Sequence, residues 1–87
     1  MTLLDKSLTI VPNPVVDFLT VQFETEASQK GEITVYDILG NKVMTDVIQT
    51  QNGQNEKSMN LTGIAAGTYT LQLRLGNEMI SRKLMKF

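Results

Sequence analysis

From Leu19 to Glu24 apolar and polar side chains alternate without a miss: Leu19, Val21 and Phe23 against Thr20, Gln22 and Glu24. A period of two puts each set on its own face of an extended chain, one face buried and one wet. The signature returns from Thr68 to Leu75, where Tyr69, Leu71, Leu73 and Leu75 are in phase, and again where Ile33 and Val35 alternate with Thr34 and Tyr36. No stretch places apolar residues at i, i+3, i+4 and i+7 without a glycine or proline inside it. The helical alternative therefore fails.

Taken in order, the remaining segments read as short strands and turns. Ser7 to Val11 points Leu8 and Ile10 inward, and Pro12-Asn13-Pro14 halts it, because two prolines remove two amide donors and hold φ. Thr25 to Lys30 is a polar connection. Gly31 to Val43 predicts a hairpin, with Gly40 and Asn41 supplying the reversal since both tolerate positive φ cheaply. Its return strand, Lys42 to Ile48, is expected to turn Val43 and Val47 inward. Gln49 to Gln54 is a polar turn carrying Asn52-Gly53, and Met59 and Leu61 mark a short strand. Gly76-Asn77 has the chemistry of a two-residue hairpin turn. The last segment, Met79 to Phe87, is apolar in both phases, so Ile80 with Leu84 or Met79 with Met85 faces the core.

About seven strands at 8–12-residue spacing, with turn signals between them, predict an all-β fold: an immunoglobulin-like antiparallel β-sandwich of Greek-key type. Ile64 to Tyr69 supports it. A glycine corner at Gly67 followed by Tyr69 at the head of a strand looks like a tyrosine corner, whose hydroxyl bonds back to upstream backbone.

With 87 residues there is room for one domain. No apolar run is long enough to cross a bilayer, so no membrane insertion is expected, and Met1 to Ser7 lacks the basic and apolar regions of a signal peptide. The absence of histidine and cysteine removes the commonest general base, thiol chemistry and nearly every zinc site. The aspartates lack calcium-loop spacing and the glycines stand singly, so no catalytic, metal or cofactor residue is assigned. A net charge of −1 argues against nucleic acid as a partner. The distribution is uneven, however. Arg74, Arg82, Lys83 and Lys86 face a single acid, Glu78, in the last 14 residues, whereas the preceding 73 carry four lysines against eight acids. That basic end reads either as a docking surface or as edge-strand protection, and the edge strands of such a sandwich are available to pair two copies into a dimer.

Val11-Pro12-Asn13-Pro14 with Leu19-Thr20-Val21, then Ile33 to Val43 containing Tyr36, Asp37 and Gly40, then Gly67-Thr68-Tyr69, and finally Arg82 to Phe87, together resemble the C-terminal sorting domain of type IX secretion, type A. The resemblance covers about residues 8–87 and implies an address rather than a chemistry. The domain would direct an upstream cargo through the periplasm and the outer-membrane translocon to the surface or the extracellular space. A sortase-like surface protease would then remove it by cutting in a linker at residues 1–7. Among the matching positions, Pro12, Asn13, Pro14, Tyr36, Asp37, Gly40, Gly67 and Tyr69 are expected to shape the fold. Arg82, Lys83, Lys86 and Phe87 are the candidate recognition residues. The competing class is a structural spacer or adhesion module of the same fold. A small glycan-binding module is a third reading, and it needs Tyr36 exposed beside another ring.

Overall fold

In a computed structural model, which describes residues 6–26 and 28–87, the alternating segments form seven strands. They are β1 (Thr9–Val11), β2 (Phe18–Thr25), β3 (Lys30–Tyr36), β4 (Lys42–Gln49), β5 (Gly53–Asn60), β6 (Gly67–Leu75) and β7 (Glu78–Lys86). Every pairing between them is antiparallel. Three strands make one sheet in the order β1-β2-β5, and four make the other in the order β4-β3-β6-β7. The chain crosses between sheets after β2, β4 and β5, which is the two-layer immunoglobulin-like arrangement. Here β4 stays beside β3 instead of joining β5. Lys6 and Ser7 are helical, and Ser7 is fastened to β2: Glu24 N donates to its hydroxyl at 2.8 Å. The rest of the expected linker, residues 1–5, lies outside the described residues.

The core is what the period-two segments dictate. Leu19, Val21 and Phe23 of β2 meet Ile33 and Val35 of β3 and Leu71, Leu73 and Leu75 of β6, all with at most 2% exposure. Met59 of β5, Ile80 and Leu84 of β7, and the loop residues Val15 and Leu61 complete the cluster. Each fully buried side chain of this kind contributes roughly 1.5–3 kcal/mol of transfer free energy. Leu8 and Ile10 pack at its margin. At one end, Thr50 ties two sheet-crossing connections together. Its amide donates to Gln29 O at 2.8 Å, and its hydroxyl accepts from Gln29 N at 3.0 Å.

Three local expectations require correction. Val43 and Val47 face outward, with 39% and 63% exposure, and the inner phase of β4 holds Met44, Asp46 and Ile48. The cause is an irregularity in the hairpin: Val35 pairs with Met44 but Tyr36 pairs with Lys42, so Val43 is an extra residue and the phase flips. Of the two turn residues, only Gly40 has positive φ, at 86°, while Asn41 serves as a hydrogen-bonding partner. Finally, the segment marked by Met59 and Leu61 is a full eight-residue strand. It is polar over most of its length because only Met59 is fully covered, and Leu61 lies just beyond it. Gly76 takes φ 57° at the first turn position between Leu75 and Glu78, as a type II′ hairpin asks.

Candidate functional site

The last strand carries all four candidate recognition residues, and its phase divides them between two faces. Ile80 and Leu84 are buried, so the even positions of β7 point toward the other sheet and the odd ones outward. Arg82 lies in the inner phase opposite Leu71, half-buried, with its guanidinium donating to Ser81 O at 3.1 Å. Lys86 is in the same phase and only 8% exposed; its ammonium donates to the Phe87 carbonyl at 2.9 Å, a stem buried with its charge led outward. Lys83 faces outward opposite Thr70, and Phe87 is 66% exposed. The basic run thus leaves Lys83 and the Phe87 ring exposed, while Arg82 and Lys86 are drawn into the sandwich wall.

Because β7 ends its sheet, one row of its backbone groups has no strand partner. The Pro-Asn-Pro segment supplies one over the last third. Asn13 acts like a short piece of strand: its Nδ2 donates to Lys83 O at 3.2 Å, and its Oδ1 accepts from Met85 N at 3.2 Å. Val15 continues the row, donating to Met85 O at 2.8 Å and accepting from Phe87 N at 2.8 Å. The flanking Pro12 and Pro14 have no amide to offer, so the seam is made by one amide side chain and one valine. Sequence reasoning assigned Pro12, Asn13 and Pro14 to shaping the chain but missed Val15. Its only local signal is an apolar residue directly after the second proline, and it is completely buried.

The other motif positions hold loops near this seam. Asp37 clamps the β3–β4 turn: Oδ1 accepts from the amides of Leu39 and Asn41, both at 2.9 Å, and Oδ2 from the Asn41 side chain at 3.3 Å. The Asn41 amide bond above all holds the Asp37 carboxyl below its ordinary pKa, since these donors favour the charged form. Tyr69 closes the corner before β6 by donating to Ala65 O at 2.6 Å, and Gly67 ahead of it has φ 158°, close to extended geometry. Tyr36 is half-buried on the outer face, hydroxyl to Gln72 Oε1 at 3.5 Å; its register neighbours Lys42 and Thr70 bring no second ring.

On the opposite flank, the inner-phase residues Asp46 of β4 and Lys57 of β5 form an ion pair at 3.8 Å. Beside it runs a groove over Phe23 and Ile48. Among the described residues, no three acidic, histidine or cysteine side chains gather as a metal site would require.

The family described as the secretion system C-terminal sorting domain matches residues 9–86, from the first residue of β1 to the last of β7. A search of curated proteins returns no match.

Proposed function

This chain belongs to the family of secretion system C-terminal sorting domains, and from that premise we propose that it is read by the type IX outer-membrane translocon through the exposed side of its last strand. The observation that carries this reading is the extent of the match, which takes in both sheets and ends on β7. A tag of this kind works by shape and surface. The absence of histidine and cysteine from the sequence fits such a role, as does a strand whose outer edge is covered only over its last third.

In this account the cargo reaches the periplasm by its own signal peptide, with the sorting domain folded behind it. Lys83 and Phe87 make the contacts that select it, while Arg82 and Lys86 hold the strand in place. A sortase-like protease then cuts within residues 1–7, ahead of the Ser7 anchor on Glu24, and leaves the cargo at the surface.

The test fuses residues 1–87 to a periplasm-targeted reporter in a type IX-competent cell. Deleting residues 82–87 also removes the core residue Leu84. The decisive variant is therefore Lys83→Glu with Phe87→Ser, which leaves the core intact. The proposal expects the reporter to stay in the periplasm while circular dichroism shows an unchanged sandwich. Normal export of that variant would show that the strand's exposed face is not what the machine reads.

A further inference from the structure

The register brings the start of β2, the end of β3, the start of β4, the end of β5, the start of β6 and the end of β7 to one pole of a body 35 Å long. Tyr36 pairs with Lys42 and Thr70, Phe18 with Asn60, and Gly67 with Lys86, and Val15 bridges the two sheets at Lys86. Among the described residues ten large apolar side chains are exposed, and six of them lie at this pole: Val16, Phe18, Ile38, Leu39, Met85 and Phe87. Ile38 and Leu39, at 79% and 81% exposure, form the tip of the β3–β4 turn, which the Asp37 carboxylate fastens with three hydrogen bonds. Exposed apolar side chains gathered in this way mark a contact surface, whereas scattered ones do not.

The charges at the pole decide what fits it. Lys42 and Lys83 are exposed there, and Asp17 and Asp37 stand beside them, so two cations are matched by two acids. Lys86 is buried, with its ammonium on the Phe87 carbonyl. A balanced pole gives a strongly acidic or basic surface nothing to hold, and it does not repel its own copy. The balance is also divided between the layers. Lys42, Lys83 and the Ile38–Leu39 tip belong to the four-stranded sheet, whereas Val16, Asp17 and Phe18 lead into β2 of the three-stranded one.

We infer that this pole is the docking surface for a second copy of the chain, placed end to end about a two-fold axis that runs between the layers and across the long axis. Such an axis sets the four-stranded layer of each copy against the three-stranded layer of the other. Each Ile38–Leu39 tip then meets the partner's Val16 and Phe18, and Lys42 and Lys83 face the layer that carries the partner's Asp17. A pole of 22 Å by 22 Å offers about 500 Å² per copy, so about 1,000 Å² is buried in all, at the small end of specific interfaces. The dimer is therefore weak and depends on concentration.

The strand edges suit a copy less well. Asp46 and Lys57 place charges in the inner phase of β4 and β5, and Asn13 and Val15 already cover the end of β7. Residues before Thr9 leave from the opposite pole, where Ser7 is fastened to Glu24. Chains attached upstream of the two copies therefore point away from each other and leave the contact free. Lys83 and Phe87 are covered in the dimer, so a paired copy separates before β7 is read, but the dimer itself does not depend on that reading.

The 87-residue chain is sedimented in the ultracentrifuge from about 10 μM to about 1 mM, the range of a weak interface, while circular dichroism monitors the fold. A monomer–dimer equilibrium is expected, weakened roughly ten-fold or more by Ile38→Asp with Leu39→Asp. Val47→Asp with Met79→Asp, exposed apolar positions away from the pole, should leave it unchanged. Charge tests the orientation. Asp17→Lys alone and Lys42→Glu with Lys83→Glu alone should each dimerise less than the parent, and an equal mixture of the two should recover the dimer, because every cation then faces an acid again. Three results would overturn the inference: a monomer at every concentration, an undiminished dimer in the Ile38/Leu39 variant, or a mixture of the charge variants that associates no better than either alone.

Discussion

Replacing Asn13 by alanine asks whether the Pro-Asn-Pro segment holds the last strand or merely passes it. The side chain makes two hydrogen bonds to β7, each at 3.2 Å, one to Lys83 O and one from Met85 N. Both lie at an exposed edge, so water replaces them when they are lost, and each contributes about 0.5–1 kcal/mol net. The variant should therefore lose about 1–2 kcal/mol, which lowers Tm by roughly 4–12 °C for a domain of this size. The local signature is sharper. The Met85 amide loses its acceptor while the two Val15 bonds that follow it, to Met85 O and from Phe87 N, remain, so its hydrogen exchange should accelerate at least ten-fold, and the amides of Leu71 and Leu73 in the central strand should change only as global stability does. Asn13→Asp separates the two bonds: it keeps an acceptor for Met85 N but sets a carboxylate against Lys83 O, so Met85 should retain more protection than in the alanine variant. If Asn13→Ala left Tm within 1 °C of the parent and Met85 exchange unchanged, the seam would have no energetic content.

Two further perturbations follow from single sites. A Cβ added at Gly31 would meet Leu75 Cδ2 and lie 2.8 Å from Arg74 O, between two neighbouring strands; Gly31→Ala should cost about 1–3 kcal/mol, read from the urea midpoint at unchanged m. The Asp37 clamp makes a pH prediction with a definite sign: a folded-state pKa below the ordinary 3.8 stabilises fully above that value and is lost as pH falls through the lowered one. The Tm difference between the parent and Asp37→Asn should accordingly be constant near neutrality and shrink below pH 4, and a difference that persisted unchanged in acid would refute the clamp.

Much of the architecture was legible because it rests on local rules. Leu19, Val21 and Phe23 need no partner to declare a buried face, nor do Leu71, Leu73 and Leu75, and Gly76-Asn77 announces a turn by its own chemistry. The misreadings fall where local rules give two answers. β4 is apolar in both phases, and one extra residue at Val43 chose Met44 and Ile48 over Val43 and Val47. β5 is polar because it edges a three-stranded sheet, so hydrophobicity alone understated its length. The candidate recognition residues were found as a charge run, yet the run could not say that Lys83 is presented while Lys86 is buried.

The pairing of Asn13 with Lys83 and Met85, about seventy residues away, leaves no trace in either segment by itself. Side-chain period and turn chemistry act over a few residues, so the chain alone determines strands, breaks and an all-β class. Which strands share a sheet, which cations stay wet and what covers the final edge depend on contacts distant in sequence, and those exist only once the two layers have closed.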